Sequence, residues 1–127
     1  MALTKTARVL VSSTSNTAGS TTRSTPLDME TTYGGFLTIK MANGGTGPTV
    51  QCVCNILIAH NATPPAAGSA GTDWKTIQSY GNGTSANAVT EVAIPIDPAI
   101  MALEIEFTGN TGQAVTVEAY LSELTSV

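Results

Sequence analysis

Charged side chains are scarce in this sequence. Asp, Glu, Lys and Arg make up 11% of its 127 residues, whereas about 25% is usual. Thr, Ser, Gly, Ala and Asn take their place, and the 42% of hydrophobic residues suffices for a packed core and argues against disorder. The surface therefore consists mainly of hydroxyl and amide groups. Burying such a surface against a partner costs little desolvation free energy. A high Thr content is also expected simply because Thr favours strands.

Basic residues and long apolar runs are also missing. The five Lys and Arg residues are scattered and the net charge is −4, so we expect no direct binding to nucleic acid, which needs a basic stripe. No run approaches the roughly 18 apolar residues of a membrane span. Lys5 and Arg8 interrupt the start of the chain, which predicts no signal peptide. We therefore expect a soluble protein, made in a cytoplasm and not bound to a membrane.

Groups suited to catalysis or metal binding are few. His60 is the one histidine, and two cysteines without a histidine pair cannot complete a zinc site. Cys52 and Cys54 lie two apart in a strand-like run, which predicts two buried free thiols. Glu104 and Glu106 alternate with apolar residues, which predicts a solvated strand face with Glu118 opposite in a hairpin. We expect no enzyme, no cofactor and no metal.

Period-two alternation of apolar residues between turn clusters predicts seven or eight short strands and no helix. The segments are 4–12, 36–41, 50–60, 73–80, 89–96, 101–108 and 115–122. Glycine-rich turns at 43–48 and 109–112 predict that 36–41 pairs with 50–60, and 101–108 with 115–122, as hairpins. The predicted fold is all-β: a jelly-roll-like antiparallel β-sandwich of about eight strands, forming a single domain over residues 1–127.

The first 30 residues are the least regular part of the pattern. Residues 13–25 are polar, low in complexity and centred on Gly19. They form either a flexible arm or a loop followed by an edge strand, where Pro26 would be tolerated. We expect a flexible or partner-binding N-terminal arm within residues 1–30.

Three stretches together resemble a known group of proteins: YGGFLTIK at 33–40, NGGTGPTV at 43–50 and EFTGNTGQAVTV at 106–117. They are similar to small structural proteins of tailed bacteriophages, above all the head decoration, or cement, proteins of short-tailed phages. The resemblance implies a jelly-roll-like fold and a virion location on the capsid surface. It also implies binding to the major capsid protein and assembly into a homo-oligomer, a dimer or a trimer. It assigns no role to individual residues.

Partner contacts are expected from segments that cannot pack internally, namely 14–25, 61–72 and 81–86, with basic residues adding ion pairs. The candidate contact residues are Arg8, Arg23, Asn61, Pro64, Pro65, Trp74, Lys75, Tyr80 and Asn82. An alternative is a receptor- or glycan-binding module of a phage tail or head fibre, in which Trp74 and Tyr80 stack on sugars. The other interpretation, which the small number of aromatic residues favours, is that Trp74 caps the core of the sandwich.

Overall fold

Nine β-strands form the regular structure of the described part of the chain. The computed structural model describes residues 2–68 and 73–127, and none of these residues lies in a helix; accordingly, no helix in these ranges is able to span a membrane. The strands are β1 (Thr4–Asn16), β2 (Thr22–Arg23), β3 (Leu27–Asp28), β4 (Gly35–Asn43), β5 (Val53–Ala59), β6 (Lys75–Gly81), β7 (Val89–Ile96), β8 (Ala102–Thr108) and β9 (Val115–Ser126).

The strands form two antiparallel sheets. Sheet A has the order β1-β9-β4-β7, and sheet B has the order β2-β8-β5-β6, with β3 also paired to β8. Since β2 and β3 pair with opposite ends of the same side of β8, they act as one interrupted strand. The result is an eight-stranded jelly roll, which confirms the predicted fold.

The core lies between the two sheets, because one side of each strand carries the apolar residues of the alternating pattern. Sheet A contributes Leu37, Ile39, Met41, Val117 and Leu121, and sheet B contributes Cys54, Ile56, Leu103, Ile105 and Phe107, all almost completely buried. The two cysteines are buried free thiols, as predicted. Burial raises the pKa of the Cys52 thiol to about 11 and also raises that of Cys54, so both side chains stay protonated and pack as small hydrophobes.

Both predicted hairpins are wrong. β4 pairs with β7 and β9, whereas β5 pairs with β6 and β8, so residues 44–52 carry the chain from sheet A to sheet B. Residues 109–114 likewise cross from β8 in sheet B to β9 in sheet A. Glu118 is therefore not opposite Glu104 and Glu106. A glycine-rich turn reverses the chain in a hairpin and in a crossing between sheets alike, so it does not determine the partner strand.

Residues 13–25 were predicted to form either a flexible arm or a loop followed by an edge strand, and the structure shows the second. β1 continues to Asn16, and β2 lies at the edge of sheet B. A buried amide pair fixes the loop between them: Asn16 Nδ2 donates to Asn110 Oδ1 at 2.6 Å, and Asn110 Nδ2 donates to the Asn16 carbonyl oxygen at 3.0 Å. This segment is thereby attached to the sandwich; a partner-binding role for it stays a prediction.

Candidate interaction surfaces

Over β5 and β8, the outer face of sheet B is covered by the chain itself. Trp74 packs with Leu57, Ala59 and Ala102 in a second, smaller apolar cluster on this face. Its indole Nε1 donates a hydrogen bond to the carbonyl oxygen of Ala66 at 3.0 Å, so the connection between β5 and β6 is folded back over the sheet. Trp74 is 1% exposed. The prediction that its ring contacts a partner or a sugar is therefore corrected: Trp74 closes a core.

Beside this cluster lies a buried network of charged groups. Glu104 is fully buried; its Oε1 accepts the backbone N–H of Gly68 at 3.1 Å and lies 3.6 Å from Arg23 Nε. Glu106 Oε2 lies 2.9 Å from Arg23 Nη2, and its Oε1 accepts from Asn55 Nδ2 at 3.0 Å. The predicted solvated face is wrong because the β5–β6 connection and edge strand β2 supply donors that cover both carboxylates.

Burial has an electrostatic consequence for Glu104. Loss of hydration raises the pKa of its carboxyl above the ordinary value of 4.5, although the Gly68 N–H and the Arg23 guanidinium act in the opposite direction. Among the described residues, Glu104 Oε2 is buried without a hydrogen-bond partner. The carboxyl is thus held where its neutral form is favoured relative to water.

The two arginines predicted to contact a partner are both bound within the chain. Arg23 joins the network on sheet B, and Arg8 Nε lies 3.0 Å from Oε1 of Glu123, whose side chain is buried. The arginine side chains remain 37% and 45% exposed. The two guanidinium groups neutralise the chain's own buried carboxylates. An acidic group of a partner would therefore have to share these guanidinium groups.

The remaining predicted contact residues are divided between surface and interior. Those with exposed or half-buried side chains are Asn61, Pro64, Pro65, Lys75 and Tyr80, and for these a contact stays a prediction. The end of the predicted contact segment 61–72, residues 69–72, lies outside the described residues.

Asn82 is a correction, because it is 5% exposed. Its Nδ2 donates to Asn43 Oδ1 at 2.8 Å and to the Ala88 carbonyl oxygen at 3.2 Å. Asn43 in turn donates to the carbonyl oxygen of Ser85 at 2.9 Å. The Asn82 side chain therefore holds the connection between β6 and β7 and is not available to a partner.

The outer face of sheet A is exposed, in contrast to that of sheet B. Cross-strand register places its side chains in rows across β1, β9, β4 and β7. Two uncharged rows lie next to each other: Ala7, Ser122, Phe36 and Pro95, then Val9, Tyr120, Thr38 and Ala93. A third uncharged row at the far end contains Ser15, Thr116, Ala42 and Val89. Large apolar side chains on this face are exposed to solvent: Val9 is 65%, Phe36 55% and Val89 54% exposed.

One charged row separates the uncharged ones. Lys40 lies between Glu118 on β9 and Glu91 on β7, with Nζ 3.5 Å from Glu91 Oε1. The hydroxyl of Tyr120 donates to Glu118 Oε2 at 3.0 Å. These side chains, with Thr38 and Ala93, line a shallow depression of about 310 Å³. A second depression of about 510 Å³ lies at the other end of the face and is lined by Leu3, Tyr33, Phe36, Pro98 and Leu124, among others.

The outer face of sheet A was not among the sites predicted from the sequence. The indication in the sequence was apolar residues on the otherwise polar side of their strands, such as Val9 beside Leu10 and Val11, and Phe36 beside Leu37. In a strand with one solvated side, such residues leave an apolar patch on the surface.

The titratable groups considered in the sequence analysis are not brought together by the described residues. Within residues 2–68 and 73–127, no cluster of three or more His, Cys, Asp or Glu side chains is able to hold a metal ion. The thiols of Cys52 and Cys54 lie in the core, whereas His60 is exposed beyond the end of β5.

Comparisons with known proteins show the fold alone. No protein-family model matches the sequence, and no curated protein matches it. Among solved structures, the K3 cleaved adhesin domain of Lys-gingipain from Porphyromonas gingivalis gives a TM-score of 0.56 at 9% identity, over 90% of this chain and 74% of the other. Infectious bursal disease virus, Gx strain, gives 0.54 at 12% identity, over 95% of this chain but 32% of the viral one. Disulfide-linked pili that form Bacillus endospore appendages give 0.51 at 8% identity, over 100% and 93%.

Proposed function

We propose that the chain is a virion structural protein that decorates the outside of a phage head and binds the major capsid protein through the outer face of sheet A. The observation that carries the proposal is the contrast between the two sheets. The outer face of sheet B is covered over β5 and β8 by Trp74 and the β5–β6 connection, while that of sheet A exposes apolar side chains among hydroxyl groups. The sequence resemblance to decoration proteins and the shared fold of a virus structure support the same assignment.

The size of the open face determines the kind of binding. Four strands about 4.8 Å apart and four rows about 6.8 Å apart give an area of roughly 500 Å² on each partner. The total of about 1,000 Å² is at the lower limit for a specific interface, so a single contact is weak. Many copies on one shell, each linking neighbouring capsid proteins, would add through multivalency. Because the protein binds the assembled shell and not its separated parts, mass action then stabilises the intact head.

The proposal is tested with heads of the encoding phage prepared without this protein. Phe36→Lys and Tyr120→Lys place charges on the open face, and Val50→Lys is the matched control, since Val50 is equally exposed but lies in the β4–β5 connection. We expect each face variant to lower occupancy of the heads at least tenfold while the control binds normally. Full occupancy by both face variants, or heads equally resistant to heat with and without the protein, would contradict the proposal.

A second candidate is glycan binding in the depression beside Tyr120. The ring of Tyr120 stands next to Glu118, Lys40 and Glu91, which combines a stacking surface with hydrogen-bonding groups. A glycan array probed with the natural chain and with Tyr120→Ala decides this candidate. Binding that the substitution abolishes supports it, and no binding by the natural chain removes it.

A further inference from the structure

Two asparagines of the chain are followed directly by glycine, in Asn43-Gly44 and Asn82-Gly83. In such a dipeptide the glycine nitrogen is able to attack the asparagine side chain, because no Cβ hinders its approach. The nitrogen forms a bond to Cγ and gives up its proton, which leaves with the NH2 group as ammonia. Addition of one water to either carbonyl of the resulting imide gives aspartate or isoaspartate. The positions of the nitrogen and the amide in the fold therefore decide whether deamidation takes place.

The two asparagines lie together, and their side chains are hydrogen-bonded to each other. Asn82 Nδ2 donates to Asn43 Oδ1 at 2.8 Å. Asn43 Nδ2 donates to the carbonyl oxygens of Gly83 and Ser85 at 3.2 and 2.9 Å. Both asparagines are at most 6% exposed. In the folded chain the two amides are thus fixed in orientation and largely shielded from the water that the second step consumes.

The nitrogen that would attack Asn82 is held as well. The backbone N–H of Gly83 donates to Oε1 of Gln51 at 3.0 Å. The Gln51 side chain in turn packs on the backbone of Gly81, where even a Cβ would collide with it. Gln51 therefore restrains the attacking nitrogen, while Asn43 restrains the amide that would be attacked.

The two dipeptides differ in how readily the fold releases them. Asn43 ends β4, a central strand that is paired with β7 on one side and β9 on the other. Asn82 follows β6, which is paired on one side only, and it lies in the connection to β7. Connections beside an edge strand open at a lower free energy than central strands do. Opening of the β6–β7 connection separates Asn82 from Asn43 and leaves β4 in place.

We propose that Asn82 is a deamidation site that reacts when the β6–β7 connection opens, and that the reaction prevents the connection from closing again. Nδ2 of Asn82 supplies the hydrogens for two acceptors, Asn43 Oδ1 and the Ala88 carbonyl oxygen. A carboxylate has no hydrogen to donate, and closure would bury its charge against these two oxygens. Within the described part of the chain, Asn82 Oδ1 has no hydrogen-bond donor that the carboxylate could use instead. A flip of the Asn43 amide would supply one, but it would turn Asn43 Oδ1 toward the carbonyl oxygens of Gly83 and Ser85.

The first test follows both dipeptides by mass spectrometry of proteolytic peptides, after incubation of the natural chain in mildly alkaline buffer with and without urea. In urea both asparagines should convert at similar rates, since neither is restrained. In the folded chain conversion at Asn82 should be at least about tenfold slower than in urea and should precede conversion at Asn43. Equal rates at Asn82 in buffer and in urea, or earlier conversion of Asn43 in the folded chain, overturn the proposal.

A variant of the residue that holds the nitrogen makes the test specific. Gln51→Ala frees the Gly83 N–H and should accelerate conversion at Asn82 in the folded chain, with no change at Asn43. Gln113→Ala, the same substitution at an exposed position between β8 and β9, is the control and should convert like the natural chain. An unchanged rate at Asn82 in Gln51→Ala, including no conversion at all, contradicts the proposed restraint.

The final test examines the product. Asn82→Asp reproduces one outcome of the reaction, and Asn61→Asp is the control at an exposed position. Hydrogen exchange of the backbone amides of residues 82–88 should be at least about tenfold faster in Asn82→Asp than in the natural chain, with exchange in β9 unchanged; Asn61→Asp should exchange normally. Normal exchange at 82–88 in Asn82→Asp would show that the connection closes over the carboxylate, against the proposal. If Asn82→Asp fails to fold, the rates of the natural chain and Gln51→Ala decide. None of these tests uses phage heads, so they are independent of the proposed function.

Discussion

The indole nitrogen of Trp74 and the carbonyl oxygen of Ala66, 3.0 Å apart, join the β5–β6 connection to the outer face of sheet B. The bond satisfies the one polar group of a side chain that is otherwise buried among Leu57, Ala59 and Ala102. An indole buried without such a partner would be destabilising. This contact makes the outer faces of the two sheets different.

Trp74 is expected to be a major contributor to stability. Trp74→Ala should lower the free energy of unfolding by about 3–5 kcal/mol, because it removes the largest side chain of the covering cluster and leaves a cavity. Urea denaturation followed by circular dichroism measures the change. Tyr120→Ala, on the open face, is the control and should cost no more than about 0.5 kcal/mol. An equal loss of unfolding free energy in the two variants would mean that the Trp74 cluster does not hold the β5–β6 connection on sheet B.

Glu104 should make stability depend on pH. Its pKa in the folded protein is raised by burial above 4.5, so the native state holds the proton more tightly than the unfolded chain does. The associated stabilisation is complete below pH 4.5 and is lost as the pH rises through the raised pKa. Glu104→Gln removes this group, and its unfolding free energy should fall less with rising pH than that of the natural chain.

The control for this titration is Glu91→Gln, since Glu91 is exposed. Its stability should follow the same pH dependence as that of the natural chain. Parallel curves for the natural chain and Glu104→Gln would show that Glu104 does not couple protonation to folding.

The two thiols should be unreactive in the folded protein. Burial raises the pKa of Cys52 from 9.0 to about 11 and also raises that of Cys54. At pH 8 a thiol with a pKa of about 11 is only about 0.1% thiolate, the reactive form. A thiol reagent such as DTNB should therefore label no thiol in buffer and two in urea. Rapid labelling of the folded chain would show that the edge of the core opens.

Asn82 should stabilise the β6–β7 connection. Asn82→Ala removes the donor to Asn43 Oδ1 and to the Ala88 carbonyl oxygen. The Ala88 carbonyl oxygen still accepts the Asn43 N–H, but leaving the buried Asn43 Oδ1 without its donor should cost about 1–3 kcal/mol. Asn61→Ala, at an exposed position, is the matched control and should be close to neutral. A thermal unfolding series of the two variants provides the comparison, and equal melting temperatures would contradict the assignment.

Local alternation was sufficient to locate most strands. The predicted segments 36–41, 89–96, 101–108 and 115–122 correspond to β4, β7, β8 and β9 within a few residues. Each of these strands directs one side toward the core. Because side chains alternate between the two sides of a strand, this produces an alternation of apolar and polar residues in the sequence. The free thiols of Cys52 and Cys54 followed from the same pattern.

The partners of the strands, and the burial of a strand face by another segment, could not be predicted in the same way. Whether a glycine-rich turn joins neighbours in one sheet or crosses to the other depends on contacts between residues far apart in sequence, such as β4 with β9. The burial of Glu104 likewise depends on Arg23 and Gly68, which are distant in the chain. Alternation showed that this side of β8 is polar, but not that another segment lies on it.

The pairing of β1 with β9 has a consequence for the order of events in folding. Thr4 is opposite Ser126, and Asn16 is opposite Val115, so the first strand finds its partner only after nearly the whole chain exists. At about 5–20 residues per second, synthesis of this chain takes roughly 6–25 s. During this time β1 is available to other partners, and its pairing in sheet A waits until β9 has been synthesised. Contacts this distant in sequence also place the domain among slow folders, on the scale of milliseconds to seconds.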